Sequence, residues 1–278
     1  MKPRILLTIS LALALPCVFA PAFAQERYDD HELRDRFKIK LGGFNPRNSD
    51  STIRIDSRFL GLGTVIDLED NLQVDDSARV ARLDGFYRFN RAHRLEWSYY
   101  SLKREGSAFV GQDLQIGEIT FPLGFQIDST WKLSVAKVSY AWSFINTDPY
   151  EFYIGAGLNV RDISLKFNGT GVVSGTRRDF DESGTLPQPT LTAGMRYNVL
   201  DNLALLFRTE AFALEFGDSK GRIQDTYFLL EYDITRNFGI GGGINLYNLD
   251  IEIDKGGDFT GEVESSYLGL LLYLSASF

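Results

Sequence analysis

From about residue 36 to the C-terminus, apolar and polar positions alternate with period two in segments long enough to cross a bilayer as tilted strands. Leu191, Ala193, Met195, Tyr197 and Val199 alternate with Thr190, Thr192, Gly194, Arg196 and Asn198. Ala136, Val138, Tyr140, Trp142 and Phe144 alternate with Lys137, Ser139, Ala141 and Ser143, and Phe152, Ile154, Ala156 and Leu158 with Glu151, Tyr153, Gly155, Gly157 and Asn159. A helix would scatter these sets around its axis, whereas a strand places each set on one face. The pattern predicts ten strands, over about 36–45, 78–89, 94–104, 129–145, 150–168, 188–199, 203–216, 223–234, 237–253 and 262–278. A count of eight or twelve also fits, because boundaries read from pattern move by a few residues.

The connections alternate in length. Short polar turns fall at Asn90 to His93, Asn146 to Pro149, Leu200 to Asn202 and Thr235 to Asn237, and between them lie longer stretches at 46–77, 105–127, 169–187, 217–222 and 254–261. Short turns on one side and long loops on the other are the signature of a transmembrane antiparallel up-and-down β-barrel, with the short turns and both termini on the periplasmic side. Thr52-Ile53-Arg54-Ile55-Asp56 also alternates, but as an eleventh crossing it would put later turns on the wrong side, so it reads as an extracellular hairpin extension. Aromatic residues crowd the short turns: Phe86, Tyr87, Phe89, Trp97, Tyr99 and Tyr100 at the first, and Trp142, Phe144, Tyr150, Phe152 and Tyr153 at the second. Rings with one polar edge concentrate at headgroup depth, so this clustering predicts an aromatic girdle. A large soluble antiparallel sandwich is the competing all-β reading, and it gives no reason for that crowding.

The chain ends define its compartment. Lys2 and Arg4 precede an apolar run from Ile5 to Leu15, and Ala22-Phe23-Ala24 offers a small-x-small cleavage site, so residues 1–24 read as a signal peptide. Pro16 and Pro21 interrupt the run and argue against a retained membrane helix. Residues 25–35 then form a charged periplasmic arm and 36–278 the barrel. Cleavage discards Cys17, the only cysteine, so the mature chain relies on no disulfide. Removing Lys2 and Arg4 from the 29 basic residues leaves 27 against 37 acidic ones, a net charge of −10. Such a chain has no electrostatic basis for binding nucleic acid. At the other end Leu268, Leu270, Leu272, Leu274, Ala276 and Phe278 share one face of the last strand.

The chain resembles small Gram-negative outer-membrane β-barrel families of the OmpA-barrel and OmpW type, and an uncharacterised proteobacterial outer-membrane barrel group. The second likeness rests on Ile39-Lys40-Leu41-Gly42-Gly43-Phe44, on Gly63-Thr64-Val65-Ile66-Asp67-Leu68-Glu69-Asp70, and on the hairpin Tyr87-Arg88-Phe89-Asn90 to Arg94-Leu95-Glu96. It spans essentially the whole mature chain. The resemblance implies passage through periplasmic chaperones and insertion by the outer-membrane assembly machinery, with Leu270, Leu272, Leu274 and the terminal Phe278 as the recognised signal. Outer-membrane lipids and lipopolysaccharide are the implied surroundings. Activity does not follow, since such families include anchors, adhesins and channels.

Consistent face assignment sends Lys38, Lys40, Arg82, Asp84, Arg88, Glu96, Lys137, Glu151, Arg161, Arg196, Arg208, Glu210, Glu231 and Asp233 into the lumen. In a ring of about ten strands, charges of both signs lie within pairing distance of one another, which favours a packed ionic network over a water-filled pore tuned by these residues. Inward glycines, among them Gly155, Gly157, Gly239, Gly241 and Gly243, leave room either for long arginines or for water. No cofactor is implied. The mature chain carries only His31, in the N-terminal arm, and His93, in a short turn, so catalysis of the kind used by lipid A-modifying or protease barrels has no evident constellation. Asp67-Leu68-Glu69-Asp70 with Asp75-Asp76, and Arg177-Arg178-Asp179 with Asp181-Glu182, read as solvated loops, and the first lacks the spacing of a calcium loop. The expected function is therefore that of a non-enzymatic structural or surface-interaction protein with a charged, largely plugged lumen and long acidic loops, the alternatives a narrow channel for ions or small solutes and, with least support, an outer-membrane lipid-modifying enzyme.

Overall fold

A computed structural model describes residues 35–56, 63–216, 219–254 and 260–278. The expected signal peptide, most of the N-terminal arm and His31 lie outside the described residues. Ten long strands make the wall: β1 (Phe37–Ile55), β3 (Val80–Arg88), β4 (His93–Phe109), β7 (Phe125–Asn146), β8 (Tyr150–Gly171), β9 (Arg177–Leu200), β10 (Leu203–Phe216), β11 (Ser219–Asp233), β12 (Phe238–Asp254) and β13 (Thr260–Ser277). Each pairs antiparallel with its chain neighbour, and β13 pairs with β1, so the sheet closes on itself. Closure leaves no open seam around the ring from β1 to β13, the condition for a sheet to sit in hydrocarbon. The seam runs to the end of the chain, where Phe37 and Phe278 exchange backbone hydrogen bonds of 2.9 and 2.8 Å.

The outer face carries the apolar sets read from the sequence. Leu41, Leu83, Tyr99, Val138, Ile154, Leu191, Phe228, Ile244 and Leu272 are all large and exposed, one on each of nine strands. In water such a belt would associate; in a bilayer it is the anchor. Trp142, Phe144, Tyr150 and Phe89 stand exposed beside the short turns, where the girdle was expected. Inside, Tyr273 lies over Gly241, where a Cβ would come within 2.4 Å of the ring. Tyr153 covers Gly194 in the same way, so aromatic rings occupy the room these inward glycines leave.

The strands continue well beyond the expected ends. β8 and β9 have 22 and 24 residues. About 9–11 residues suffice to cross the hydrocarbon, and at ~3.3 Å per residue and ~45° of tilt the longer strand rises roughly 55 Å. Much of what reads as loop at 46–77, 105–127 and 169–187 is therefore wall. Residues 177–187 belong to β9, and Lys166 and Arg177 pair with Asp181 and Asp179 across and along the strands rather than on a free loop. Thr52 to Ile55 continues β1, and Thr52 and Ile53 pair antiparallel with Asp67 and Ile66, so the expected hairpin extension is built on the wall strand itself. Between Arg47 and Asp50 the register against β13 slips by one residue, a bulge that reverses which residues face inward. Lys38, Phe44 and Pro46 point in before it, and Ser51, Ile53 and Ile55 after it.

Three small elements fold back into the mouth of the barrel at the long-hairpin end: β2 (Ile66–Asp67), the five-residue helix α1 (Leu68–Leu72), and the hairpin of β5 (Leu114–Ile116) with β6 (Ile119–Phe121). Asp67 caps α1, accepting the Asp70 N–H at 2.7 Å, and Gln73 ends the helix in the left-handed region at φ 52°. The two parts are stitched together: Thr64 N–H donates to the Gln115 carbonyl at 3.0 Å, and Gln115 N–H returns to Thr64 Oγ1 at 3.0 Å. Gly63 is obligatory at this approach, because a Cβ there would sit 2.0 Å from the Ile55 carbonyl oxygen.

Candidate functional site

The interior of the barrel is the candidate site, and it is built in two layers. The layer nearer the short turns is ionic. All fourteen predicted lumen residues lie on the inner face of their strands, because each shares the parity of its strand's buried positions. Glu231 on β11 accepts from Lys38 at 3.3 Å, Lys40 at 2.5 Å, Arg196 at 2.8 Å and the Tyr273 hydroxyl at 3.1 Å. A second, continuous path crosses the barrel. Arg88 reaches Glu151 at 3.0 Å; Arg94 joins Glu151 to Glu96, the latter at 2.7 Å; Arg208 joins Glu96 to Glu210; and Lys137 joins Glu210, at 2.8 Å, to Asp225, at 2.6 Å. Asp225 also accepts from the Tyr227 hydroxyl at 2.7 Å, and Tyr227 in turn accepts from Arg82, whose other nitrogens hold Asp84. Desolvated charges are stable only when their remaining hydrogen-bonding positions are also filled. Here Ser143 at 2.5 Å of Glu151 and Asn245 at 2.5 Å of Asp225 do that.

Arg94 and Asp225 were not among the expected lumen residues, yet both are central to the path and almost fully buried. Arg94 reads as turn because it follows His93, but it has the same parity as Glu96. Asp225 shares the parity of Glu231 and was recoverable from it. Arg161, the largest fully buried side chain, is held by neutral groups: Nε donates to Gln188 at 2.7 Å and Nη1 to the Tyr247 hydroxyl at 2.8 Å, with that ring 5.3 Å away. Asp233 sits at the short-turn end of β11, its carboxylate beside Gly239.

Above the ionic layer the lumen is apolar. Ile66, Leu68, Leu72 and Val74 from the α1 segment, and Leu114, Ile116 and Phe121 from the small hairpin, pack as a buried plug against wall residues that include Ile127, Trp131, Leu133, Phe167, Phe180 and Ile251. Tyr100, Tyr227, Tyr247 and Tyr267 complete the same cluster where it meets the charged layer. The expected solvated acidic first loop is corrected at Glu69, while Asp70, Asp75 and Asp76 stay exposed. Glu69 turns inward to pair with Arg104 on β4 and accepts the Ser51 N–H at 2.9 Å; Arg104 also donates to the Asp75 carbonyl at 2.6 Å and stacks over Trp131. Burial pushes the Glu69 carboxyl above its ordinary value, and the Arg104 charge and the Ser51 N–H work against that rise. Arg178 is likewise drawn in, donating to the Thr120 carbonyl at the plug hairpin.

His93, at the first residue of β4, meets the Tyr140 hydroxyl through Nδ1 at 2.5 Å on the outer wall. Among the described residues no group of three or more His, Cys, Asp or Glu side chains is arranged to hold a metal.

No protein-family model matches this chain, and no curated protein matches it in sequence. Among solved structures it is similar to the outer membrane protease OmpT from Escherichia coli, with a TM-score of 0.53 at 8% identity over 88% of this chain and 98% of that one. The outer membrane protein OprG from Pseudomonas aeruginosa gives a TM-score of 0.37 at 12% identity, covering 87% of this chain and 95% of its own. At such identities the OmpT likeness is one of architecture. With the closed sheet and its apolar belt, it gives the chain the fold of a ten-stranded outer-membrane β-barrel.

Proposed function

We propose that the protein is an integral outer-membrane barrel closed to solute flow, a non-enzymatic surface-interaction protein whose projecting strands face the cell exterior. The observation that carries the reading is the stacking of an apolar plug on a cross-linked ionic layer inside one narrow barrel. A pore needs a path in which ions exchange one set of ligands for the next. Here most of the charges are already paired with each other, and the plug above them turns mainly apolar side chains to the lumen. The short turns and both termini are assigned to the periplasm, because the belt lies toward their end of the strands and the long hairpins rise beyond it. Phe278, at the closing seam with Phe37, is assigned as the assembly signal together with Leu270, Leu272 and Leu274.

Single-channel conductance of the refolded mature protein in a planar bilayer, at two salt concentrations, tests the closed barrel. Silence from a protein that is folded by its heat-modifiable migration is the expected result. Steady openings whose ion selectivity changes in an Arg196→Ala, Arg208→Ala variant would establish a channel instead.

A further inference from the structure

Just beyond the apolar belt, on the long-hairpin side, the outer wall carries a one-sided arc of cations. Arg47 on β1, Arg79 immediately before β3, Lys103 on β4 and Lys132 on β7 are all exposed and occupy four consecutive strands of the sheet. On each of these strands an outward apolar residue closes the belt a few positions nearer the membrane: Leu41, Leu83, Tyr99 and Val138. Lys103 pairs in register with Lys132. Like charges directly opposite each other on a sheet are destabilising unless something shares them, and the arc's ion pair among the described residues, Lys103 with Glu105 at 2.7 Å, lies among exposed side chains where it contributes little.

Because β3 starts only at Val80, the wall here is notched. The notch is a groove of about 610 Å³ whose lining includes Asn45, Arg47, Arg79 and Lys103, with Asp75 and Asp76. The two tiers have opposite sign. Arg79 adjoins the belt, whereas Asp75 and Asp76 lie farther out along the same segment, where Asp75 N–H meets the Glu105 carbonyl at 3.0 Å and Ser49 N–H meets the Asp76 carbonyl at 3.2 Å.

We infer that this groove binds the headgroup of a phosphorylated glycolipid of the outer leaflet. The inference rests on the proposed orientation, which puts the arc at the depth of outer-leaflet headgroups. Guanidinium and ammonium groups at that depth recognise phosphate, the arginines in bidentate fashion. Carboxylates above them accept hydrogen bonds from sugar hydroxyls, which a simple phospholipid does not supply. The acyl chains of such a lipid lie against the belt directly below, so the groove extends an interface the barrel already makes.

The test is native mass spectrometry of the refolded mature barrel released from vesicles of neutral phospholipid containing bisphosphorylated lipid A, its dephosphorylated form, or neither. Retention of the bisphosphorylated lipid, reduced at least tenfold on dephosphorylation and at least tenfold in a heat-modifiable Arg79→Glu, Lys103→Glu variant, is expected. Millimolar inorganic phosphate leaves retention unchanged if the whole lipid is the ligand, and strips it if free phosphate is what the cations hold. Retention indifferent to the phosphates, or stripped by inorganic phosphate, would overturn the site. Labelling of a Val173→Cys variant in intact cells checks the orientation separately: labelled cells with no lipid retention condemn the groove alone, and unlabelled cells condemn the orientation.

Discussion

Glu231 accepts three cations and a tyrosine hydroxyl at a position almost sealed from solvent, so Glu231→Gln leaves Lys38, Lys40 and Arg196 facing one another without their shared counter-charge, and Lys38 with only the 3.4 Å pair to Asp35. Removing one partner of a buried ionic group costs about 3–5 kcal/mol, far more than the group itself contributes relative to an apolar replacement. We expect the variant to lose heat-modifiable, protease-resistant barrel at temperatures the parent withstands. A melting curve within a few degrees of the parent would mean that water already solvates these lysines. Side-chain parity was the legible part at this scale. Lys137, Glu151, Arg196 and Glu210 could be sent inward from period two alone, because one face of each strand meets lipid and tolerates no charge there. The pairing was not legible. Which of several carboxylates Lys137 meets depends on strand tilt and stagger, which place Asp225 opposite it across the lumen, and no spacing within one strand encodes that.

At the scale of elements the bulge and the plug are what the sequence hid. A single extra residue between Arg47 and Asp50 reverses the parity of β1, so a continuous strand reads as two. The plug pieces are a two-residue strand, a five-residue helix and two three-residue strands, each too short to show any period. Their signal lay in composition: Ile66, Leu68 and Leu72 are large apolar residues inside a segment rich in acids, and Glu69 among them is the acid that finds Arg104. That carboxyl titrates above its unfolded value because burial outweighs the help of Arg104. The folded plug therefore holds the proton more tightly than the unfolded chain, so this group's contribution to stability is present at low pH and is lost as the pH rises through the folded value. Acidification from pH 7 to 5 should accordingly leave the plug seated. Limited proteolysis between residues 63 and 76, measured over that range, should not speed up, and conductance should stay silent. Faster cleavage at pH 5 would show that the ion pair with Arg104, rather than burial, governs the segment.

For the molecule as a whole, the question is whether its charges are wet or dry. Ten strands, the lipid belt and closure through the C-terminal strand follow from a simple count of alternating segments, because crossing a bilayer imposes length, period and evenness at once. What fills the barrel is not constrained in that way, and a water-lined pore and a packed network require similar residues. Ionic strength separates them. Between about 0.01 and 1 M salt the Debye length shrinks from about 30 Å to about 3 Å, which screens charges that solvent reaches and leaves desolvated pairs nearly untouched. The exposed pairs, Lys103–Glu105, Lys166–Asp181 and Arg177–Asp179, each contribute at most about 1 kcal/mol, so their loss is a minor change for a closed barrel. The Glu151–Arg94–Glu96–Arg208–Glu210–Lys137 path runs inside the lumen, and all of its members but the quarter-exposed Arg208 have little contact with solvent. Thermal unfolding followed by loss of heat-modifiable migration should therefore shift by no more than a few degrees across that salt range. A pore lined by the same residues would be screened along its whole length, and a steep fall in the unfolding temperature with salt, accompanied by conductance, would identify it.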